Sequence, residues 1–425
     1  MLSARGRQYA ALDLAAGYTK VRSPLYNKDT HPDGLVSFKN AENFLMHDEA
    51  LAYIKTKCIP SLEPESLTYH DGPFGSKRLR AAMASFVNKR FSPASTVAVE
   101  HVSFVSGVTA LNDILSLCMT DGENDALLLG MPIYGSFVPD LQSMSSCKLV
   151  YASFGDVDQF SINSVKCYER TLLQAEQSGI RVRALVLANP HNPLGQCYSP
   201  DALKAILGFC NKHKIHLISD EIYAYSVYHT GASTPGFTSI LSLDTTGIID
   251  NDLVHVMYGM AKDFAAAGLR LGCLITRNTE LGQAVQSLSR FHGASPMADA
   301  IATCILEDEE WHLQFFNKSA HILQEHRKIV AEALDSAGIP YQRKANAGFF
   351  LWIDLSACLH SPTWEAEDDL KERLYNFGVE MAAARGYHGE MPGHFRFLFS
   401  VDKDTIEEAA RRIVEFYNNN KVGHA

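Results

Sequence analysis

A chain of 425 residues is longer than one compact core of typical size encloses, and it predicts a large domain with a smaller one or two similar halves. Hydrophobic residues at 46% and charged residues at 20% describe a folded globular protein rather than a disordered one. A formal net charge of −10 with no basic tract gives a phosphodiester backbone or an acidic lipid surface nothing to bind, which argues against nucleic-acid and membrane partners.

The chain starts Met1-Leu2-Ser3-Ala4-Arg5-Gly6-Arg7, with two arginines but no apolar core of signal-peptide length, and no later apolar run could span a bilayer. Asp13 and the lack of a serine-rich stretch argue against a mitochondrial presequence. Nine cysteines, odd in number and without a C-x-x-C pair, predict reduced thiols, so the expected location is the cytoplasm.

From about residue 100 to about residue 290, short apolar or β-branched runs alternate with stretches of helical period. The runs are Val102 to Val105, Ala126 to Leu129, Leu149 to Tyr151, Ala184 to Ala188, Ile215 to Ile218, Val254 to Met257 and Cys273 to Thr276. Such alternation predicts an α/β fold with a mostly parallel sheet covered on both faces by helices. One helix is marked by Ser199 as N-cap and Pro200 as first residue, with Leu203, Ile206, Leu207 and Cys210 on one face. After about residue 310 the pattern changes to a long amphipathic helix, Trp311 to Gly338, and then strand-like Phe349 to Ile353 and His394 to Phe399. We therefore expect a large domain over residues 61–309 and a smaller α+β domain built from 1–60 with 310–425.

In an open α/β sheet, ligands bind beyond the carboxyl ends of the strands, so the residues after each run are candidates for a site. Ser106-Gly107-Val108-Thr109 follows the first run and opens a helix, where backbone N–H groups and the Thr109 hydroxyl suit a dianionic phosphate. Asn189-Pro190-His191-Asn192-Pro193 is a rigid turn that can fix Asn192 to donate to an oxygen of a planar ligand. Asp220 and Tyr223 follow the run ending at Ile218. Lys262 follows Val254 to Met257 and precedes Arg270, where a lysine with a lowered pKa could condense with a carbonyl. No metal site is expected: His213 and His216 are too close for a zincin pair and have no glutamate between them. Neither G-x-G-x-x-G nor Walker A spacing occurs.

Each cluster alone has an ordinary explanation as a turn, a cap or a surface charge, but their order along the chain is distinctive. A phosphate-type turn, Tyr134 in Pro132-Ile133-Tyr134-Gly135, Asn192, Asp220 with Tyr223, Lys262 and Arg270 together resemble the fold-type-I enzymes that use pyridoxal 5′-phosphate (PLP). More closely, the chain resembles the 1-aminocyclopropane-1-carboxylate (ACC) synthase-like branch of the class I and II aminotransferases. That likeness is carried by Lys39-Asn40-Ala41-Glu42-Asn43, Gly75-Ser76-Lys77-Arg78, Gly348-Phe349-Phe350-Leu351-Trp352 and Pro392-Gly393-His394-Phe395-Arg396. The Leu2-Ser3-x-Arg5-Gly6 opening and His31-Pro32-Asp33-Gly34 resemble fungal members.

The resemblance implies that Lys262 bonds to the cofactor aldehyde and later serves as the base at Cα, with Asp220 on the ring nitrogen. It implies that Tyr223 and Asn192 hold the phenolic oxygen, that Tyr134 stacks on the ring, and that Val108, Thr109 and Arg270 bind the phosphate. Tyr69 would reach the phosphate of a neighbouring subunit in a homodimer, and Arg396 would grip the substrate α-carboxylate. The family commonly has Ser-x-Ser-Lys where this chain has Gly259-Met260-Ala261-Lys262. Lys39 and Asn40 replace a Gly-Leu pair beside the substrate; a cation there favours an anionic substrate part and disfavours cationic S-adenosylmethionine. The expected activity is a carbon–sulfur lyase of secondary metabolism acting on an amino-acid-like substrate, with an aminotransferase as the alternative. A catalytically dead binding protein of this fold would be expected to lose Lys262, Asp220 or Arg270, and all three are present.

Overall fold

The computed structural model describes residues 1–11, 24–69, 71–231 and 234–422; Asp13, and His70 beside Tyr69, lie outside the described residues. A short strand β1 (Val36–Ser37) comes first. The central sheet follows, built from β2 (Val102–Val105), β3 (Asp125–Gly130), β4 (Lys148–Ala152), β5 (Arg181–Ala188), β6 (His216–Asp220), β7 (Val254–Gly259) and β8 (Gly272–Thr276). Its order is β2-β8-β7-β6-β5-β3-β4, and only β8 runs against its neighbours. Every residue of β2, β3, β7 and β8 is buried, as strands covered on both faces must be. The expected runs all become strands, with one shift of register: Ile215 precedes β6, and Asp220 is its last residue rather than a residue beyond it.

Helices α1 (Val108–Met119), α2 (Phe137–Gln142) and α3 (Pro200–His213) lie between sheet strands. Ser199 caps α3 by accepting from the Ala202 amide at 3.2 Å, and Leu203, Ile206, Leu207 and Cys210 are its buried face. The long helix α4 (Glu309–Ala337) starts two residues before the expected Trp311, because Asp308 accepts from the Trp311 amide as its cap. It ends at Gly338 in the left-handed region, φ 70°.

The C-terminal part holds β9 (Phe350–Asp354), helix α5 (Trp364–Asn376), β10 (Val379–Glu380), β11 (Ala382–Ala383), β12 (His394–Leu398) and helix α6 (Lys403–Asn420). The strands β11-β12-β9 form an antiparallel sheet, and β1 pairs in parallel with β10. Phe349, Phe350, Phe395, Phe397 and Phe399 are fully buried in a core of their own, where each contributes roughly 2–3 kcal/mol of burial. Helix α4 crosses between cores: Phe315 and Phe316 pack with the large sheet, Leu323, Val330 and Leu334 with the small one. We retain the division into 61–309 and 1–60 with 310–425 as a proposal, with α4 as the element that both units share.

One buried cation ties the N-terminal segment to the small sheet. Arg412 of α6 donates from Nη1 to the carbonyls of Gly34 (2.6 Å) and Gly378 (2.9 Å), from Nη2 to Pro32 (2.8 Å), and from Nε to Glu408 (2.6 Å). The Gly378 carbonyl also accepts from the Val36 amide at 3.0 Å, so removing the guanidinium takes a donor chiefly from the Pro32 and Gly34 carbonyls. Arg412→Met is expected to lower stability by about 3 kcal/mol in urea denaturation, with Arg412→Lys in between. Equal midpoints for wild type and Arg412→Met would show that the clamp carries no such load.

Candidate active site

Strands β2, β3, β5, β6 and β7 share a direction, so their carboxyl ends open on one edge of the sheet, against the loops of the smaller sheet. A cavity of about 820 Å³ lies there. Val108, Thr109, Tyr134, Asn192, Asp220, Tyr223, Lys262, Arg270 and Arg396 all line it, with Lys39 and Asn40 exposed at its mouth. Tyr69 is the exception: it is 96% exposed and lies away from this chain's own cavity.

Lys262 follows β7 after one short turn, and its Nζ donates to the Ala41 carbonyl at 2.6 Å. Burial lowers its pKa to about 8, helped by the nearby Arg396 and Arg270 charges and opposed by Glu42 and Asp220. The turn is fixed from the next residue. Asp263 is buried and accepts from the Tyr225 amide (2.9 Å), Ser226 Oγ (2.6 Å) and Tyr258 hydroxyl (2.9 Å). Because the chain leaves β6 with alternating side chains, Asp220 faces the cavity while Glu221 turns away. Glu221 there accepts from Ser219, Ser239 and the Ile240 amide. Burial raises the Asp220 carboxyl to about 6, against the opposing pull of the Ile222 amide and the Lys262 charge.

Arg396, on β12, is buried at 4% exposure rather than on a solvent face. Its guanidinium carbon lies 5.2 Å from the Phe350 ring centre and 5.1 Å from that of Tyr387, a cation held between two π faces. Nη1 donates to Asn192 Oδ1 at 3.3 Å, and Nε is buried without a partner. A buried guanidinium with an unspent donor is suited to a carboxylate. Tyr223 stands edge-on to Phe349 and Phe350, with ring centres 5.2 and 5.6 Å away, and burial raises its phenol and that of Tyr134.

At the start of α1, Gly107 has φ 94°, and a Cβ on it would lie 2.7 Å from Arg270 Nη2. Glycine thus lets the guanidinium rest against the turn that presents the Val108 and Thr109 amides. A cation, helix-start N–H groups and a hydroxyl converge, which fits a phosphate dianion. Together with a buried amine and a carboxylate across the cavity, these residues fit PLP. The position before Met260 is closed to a side chain: a Cβ on Gly259 would stand 2.5 Å from the Leu271 carbonyl oxygen and 2.9 Å from Gly272 Cα. The serine common at that position has no room in this backbone.

Several cavity residues were absent from the sequence-based expectation. Glu42 acts on Lys262 from the Lys39–Asn43 stretch, whose resemblance to the ACC synthase-like branch was the available signal. Asp140 on α2 accepts from Asn112 Nδ2 at 3.4 Å and is raised by burial to about 7. Tyr387 ends a single 3-10 turn, Ala384–Tyr387, and is held at the site by the Ile133 amide bonding to its carbonyl at 2.7 Å and by the Trp352 ring 5.4 Å away.

The family described as "Aminotransferase class I and II" matches residues 55–413. The chain is 31% identical over 408 residues to human 1-aminocyclopropane-1-carboxylate synthase-like protein 1, covering 94% of this chain and 80% of that protein. It is 32% identical over 385 residues to the probable aminotransferase sirI of Leptosphaeria maculans, covering 89% and 90%. With tobacco 1-aminocyclopropane-1-carboxylate synthase the identity is 30% over 406 residues, 92% and 81% of the two chains. Among solved structures, Thermus thermophilus aspartate aminotransferase with maleate superposes with a TM-score of 0.73 at 20% identity, covering 98% of this chain and 97% of that one, a likeness of fold. The chain therefore belongs to the class I and II aminotransferase family, whose members are PLP-dependent enzymes.

Proposed function

We propose that the protein is a carbon–sulfur lyase of secondary metabolism, acting on an amino-acid-like substrate with a free amine and carboxylate. The observation that carries this choice is the 2.6 Å hydrogen bond from Lys262 Nζ to Ala41, because it joins the reacting amine to the Lys39–Asn43 stretch that resembles ACC synthases. The runner-up is an aminotransferase, favoured by the printed name of the L. maculans relative. A homodimer in the cytoplasm is part of the proposal, with Tyr69 of each copy serving the other's cavity.

PLP, when bound, supplies an aldehyde that joins the substrate amine and a ring that takes up the electron pair left at Cα. The rest falls to the chain. Arg396 fixes the substrate carboxylate and so sets which Cα bond faces the ring, and the Phe350 and Tyr387 faces keep the guanidinium from swinging away. Lys262 would hold the cofactor's aldehyde and is placed to take the Cα proton, and its lowered pKa leaves part of it neutral near neutral pH. Asp220 would keep a proton on the ring nitrogen, Asn192 and Tyr223 would hold the phenolic oxygen, and Val108, Thr109 and Arg270 would hold the phosphate. The lyase product would be the thiol of the sulfur substituent at Cβ or Cγ.

The deciding experiment is product analysis with S-substituted cysteines. The lyase is expected to release thiol, ammonia and a 2-oxoacid without an added amino acceptor; amino transfer to an added 2-oxoacid with no thiol release would overturn it. Arg396→Gln is expected to lower kcat/KM about 100-fold, as loss of a buried charge partner does, and an unchanged value would remove Arg396 from carboxylate binding. Only a neutral amine attacks an aldehyde, so PLP uptake by the apoprotein should quicken as pH rises through about 8 and then level off. A rate still climbing toward about pH 10, as for an ordinary lysine, would contradict the buried state of Lys262. Gly259→Ser is expected to lower the melting temperature without tightening PLP binding, and tighter binding at unchanged melting temperature would refute the steric account.

A further inference from the structure

The segment between β11 and β12, residues 384–393, reaches from the small sheet to the large one and back. Both of its ends are tied to a single carboxylate: Glu367 of α5, fully buried, accepts from the Arg385 amide at 2.8 Å and the Gly393 amide at 2.7 Å. Its middle is seated on three places of the large sheet. The Tyr387 carbonyl accepts from the Ile133 amide in the turn after β3 (2.7 Å), and the His388 ring stacks on Tyr151 of β4 with centres 4.5 Å apart. Beyond β4, the Glu390 carboxylate accepts from two successive amides, Phe154 (2.6 Å) and Gly155 (3.2 Å). A close backbone approach completes the seat, since a Cβ on Gly135 would stand 2.1 Å from the Gly386 carbonyl oxygen.

Packing holds only part of the segment, because Arg385, Gly386, Glu390 and Met391 are exposed. Arg385, Gly386 and Tyr387 line the main cavity, while Gly389, Glu390 and Met391 line a separate one of about 290 Å³. Backbone that borders two voids has few neighbours to press against, so its polar ties fix where it lies. The Glu390 tie is charge-assisted, an ionised acceptor on two N–H donors. What that tie positions is Tyr387, whose ring is one of the two π faces on Arg396.

We infer that residues 384–393 are a strap and that Glu390, by latching it to the large sheet, is a positioning residue for carboxylate binding: it holds Tyr387 against Arg396. This rests on the reading of Arg396 as the grip on the substrate carboxylate. Glu390 itself touches neither substrate nor cofactor; it acts through the strap, whose ends Glu367 keeps on the small sheet. A contact made in the turn after β4 thereby reaches the guanidinium along one continuous run of backbone, with the Ile133 bond lying between the two.

Two measurements on the holoenzyme test this: amide hydrogen exchange, and calorimetric titration with butyrate, a carboxylate without an amine. In Glu390→Ala, exchange is expected to quicken at Phe154 and Gly155, which lose their acceptor, and also at Ile133, which Glu390 does not touch. Butyrate binding is expected to weaken about fivefold, and Glu390→Gln, which keeps one acceptor oxygen, should fall between and serves alone if the alanine variant does not fold. In a Tyr387→Ala background, Glu390→Ala should weaken butyrate binding no further, because the route through the ring is already gone. Faster exchange confined to Phe154 and Gly155, butyrate binding equal to wild type, or an undiminished effect without the Tyr387 ring would overturn the inference. The underlying reading fails separately: butyrate bound equally well by Arg396→Gln sinks the carboxylate grip, while the spread of exchange to Ile133 still decides the strap.

Discussion

A half-buried amine in the field of two guanidinium groups is the interaction on which this molecule turns. Burying a lone ammonium is costly, and Arg396 and Arg270 raise that cost, so Lys262 is driven toward its neutral, nucleophilic form. Glu42 and Asp220 oppose that drive. The scaffold meets the demand with backbone as well as charge: the Ala41 carbonyl accepts from the amine, and the Asp263 network freezes the turn that aims it. Apart from Tyr258, Asp263 and Arg270, these groups lie far from Lys262 in sequence, and the fold brings them together.

The central sheet was legible because its strands are buried on both faces and read as short continuous apolar runs, with turn residues between them. The site residues on those strand ends were legible for the same reason, since the strand's end says where the next side chains point. Arg396 was harder: the alternation of His394 to Phe399 does not say which face is buried, and its burial follows from Phe350 and Tyr387 closing over it. Tyr387 and Asp140 could not be read at all. Their place at the cavity comes from loop-to-loop and helix-to-loop packing between distant segments, which leaves no period in the sequence. Tyr69 shows the opposite case, a residue whose expected role is invisible in one chain because it would belong to another copy's cavity.

The departure at Gly259 has a structural cause rather than a chemical one. It faces Gly272 across the β7–β8 pair, and the two backbones approach so closely that neither position has space for a side chain. Gly272 in turn lets Val108 come within 2.5 Å of where its Cβ would be, so the start of α1 is pressed against the sheet. The hydroxyl is lost, and a tighter seat for the helix start and for Arg270 is gained. The phosphate cup proposed for this chain thus leans on backbone amides and a guanidinium more than on side-chain hydroxyls.

The Arg412 clamp has a mechanical consequence. By gripping Pro32, Gly34 and Gly378 at once, and with β1 laid along β10, it makes the N-terminal segment a rigid extension of the small sheet that also carries Arg396. That same segment delivers the Ala41 carbonyl to an amine rooted in the large sheet. A displacement between the two sheets is therefore geared: it shifts the Arg396 guanidinium and the amine's hydrogen-bond acceptor in one stroke. Under the proposed function, seizing the substrate and freeing the lysine are two readings of a single coordinate.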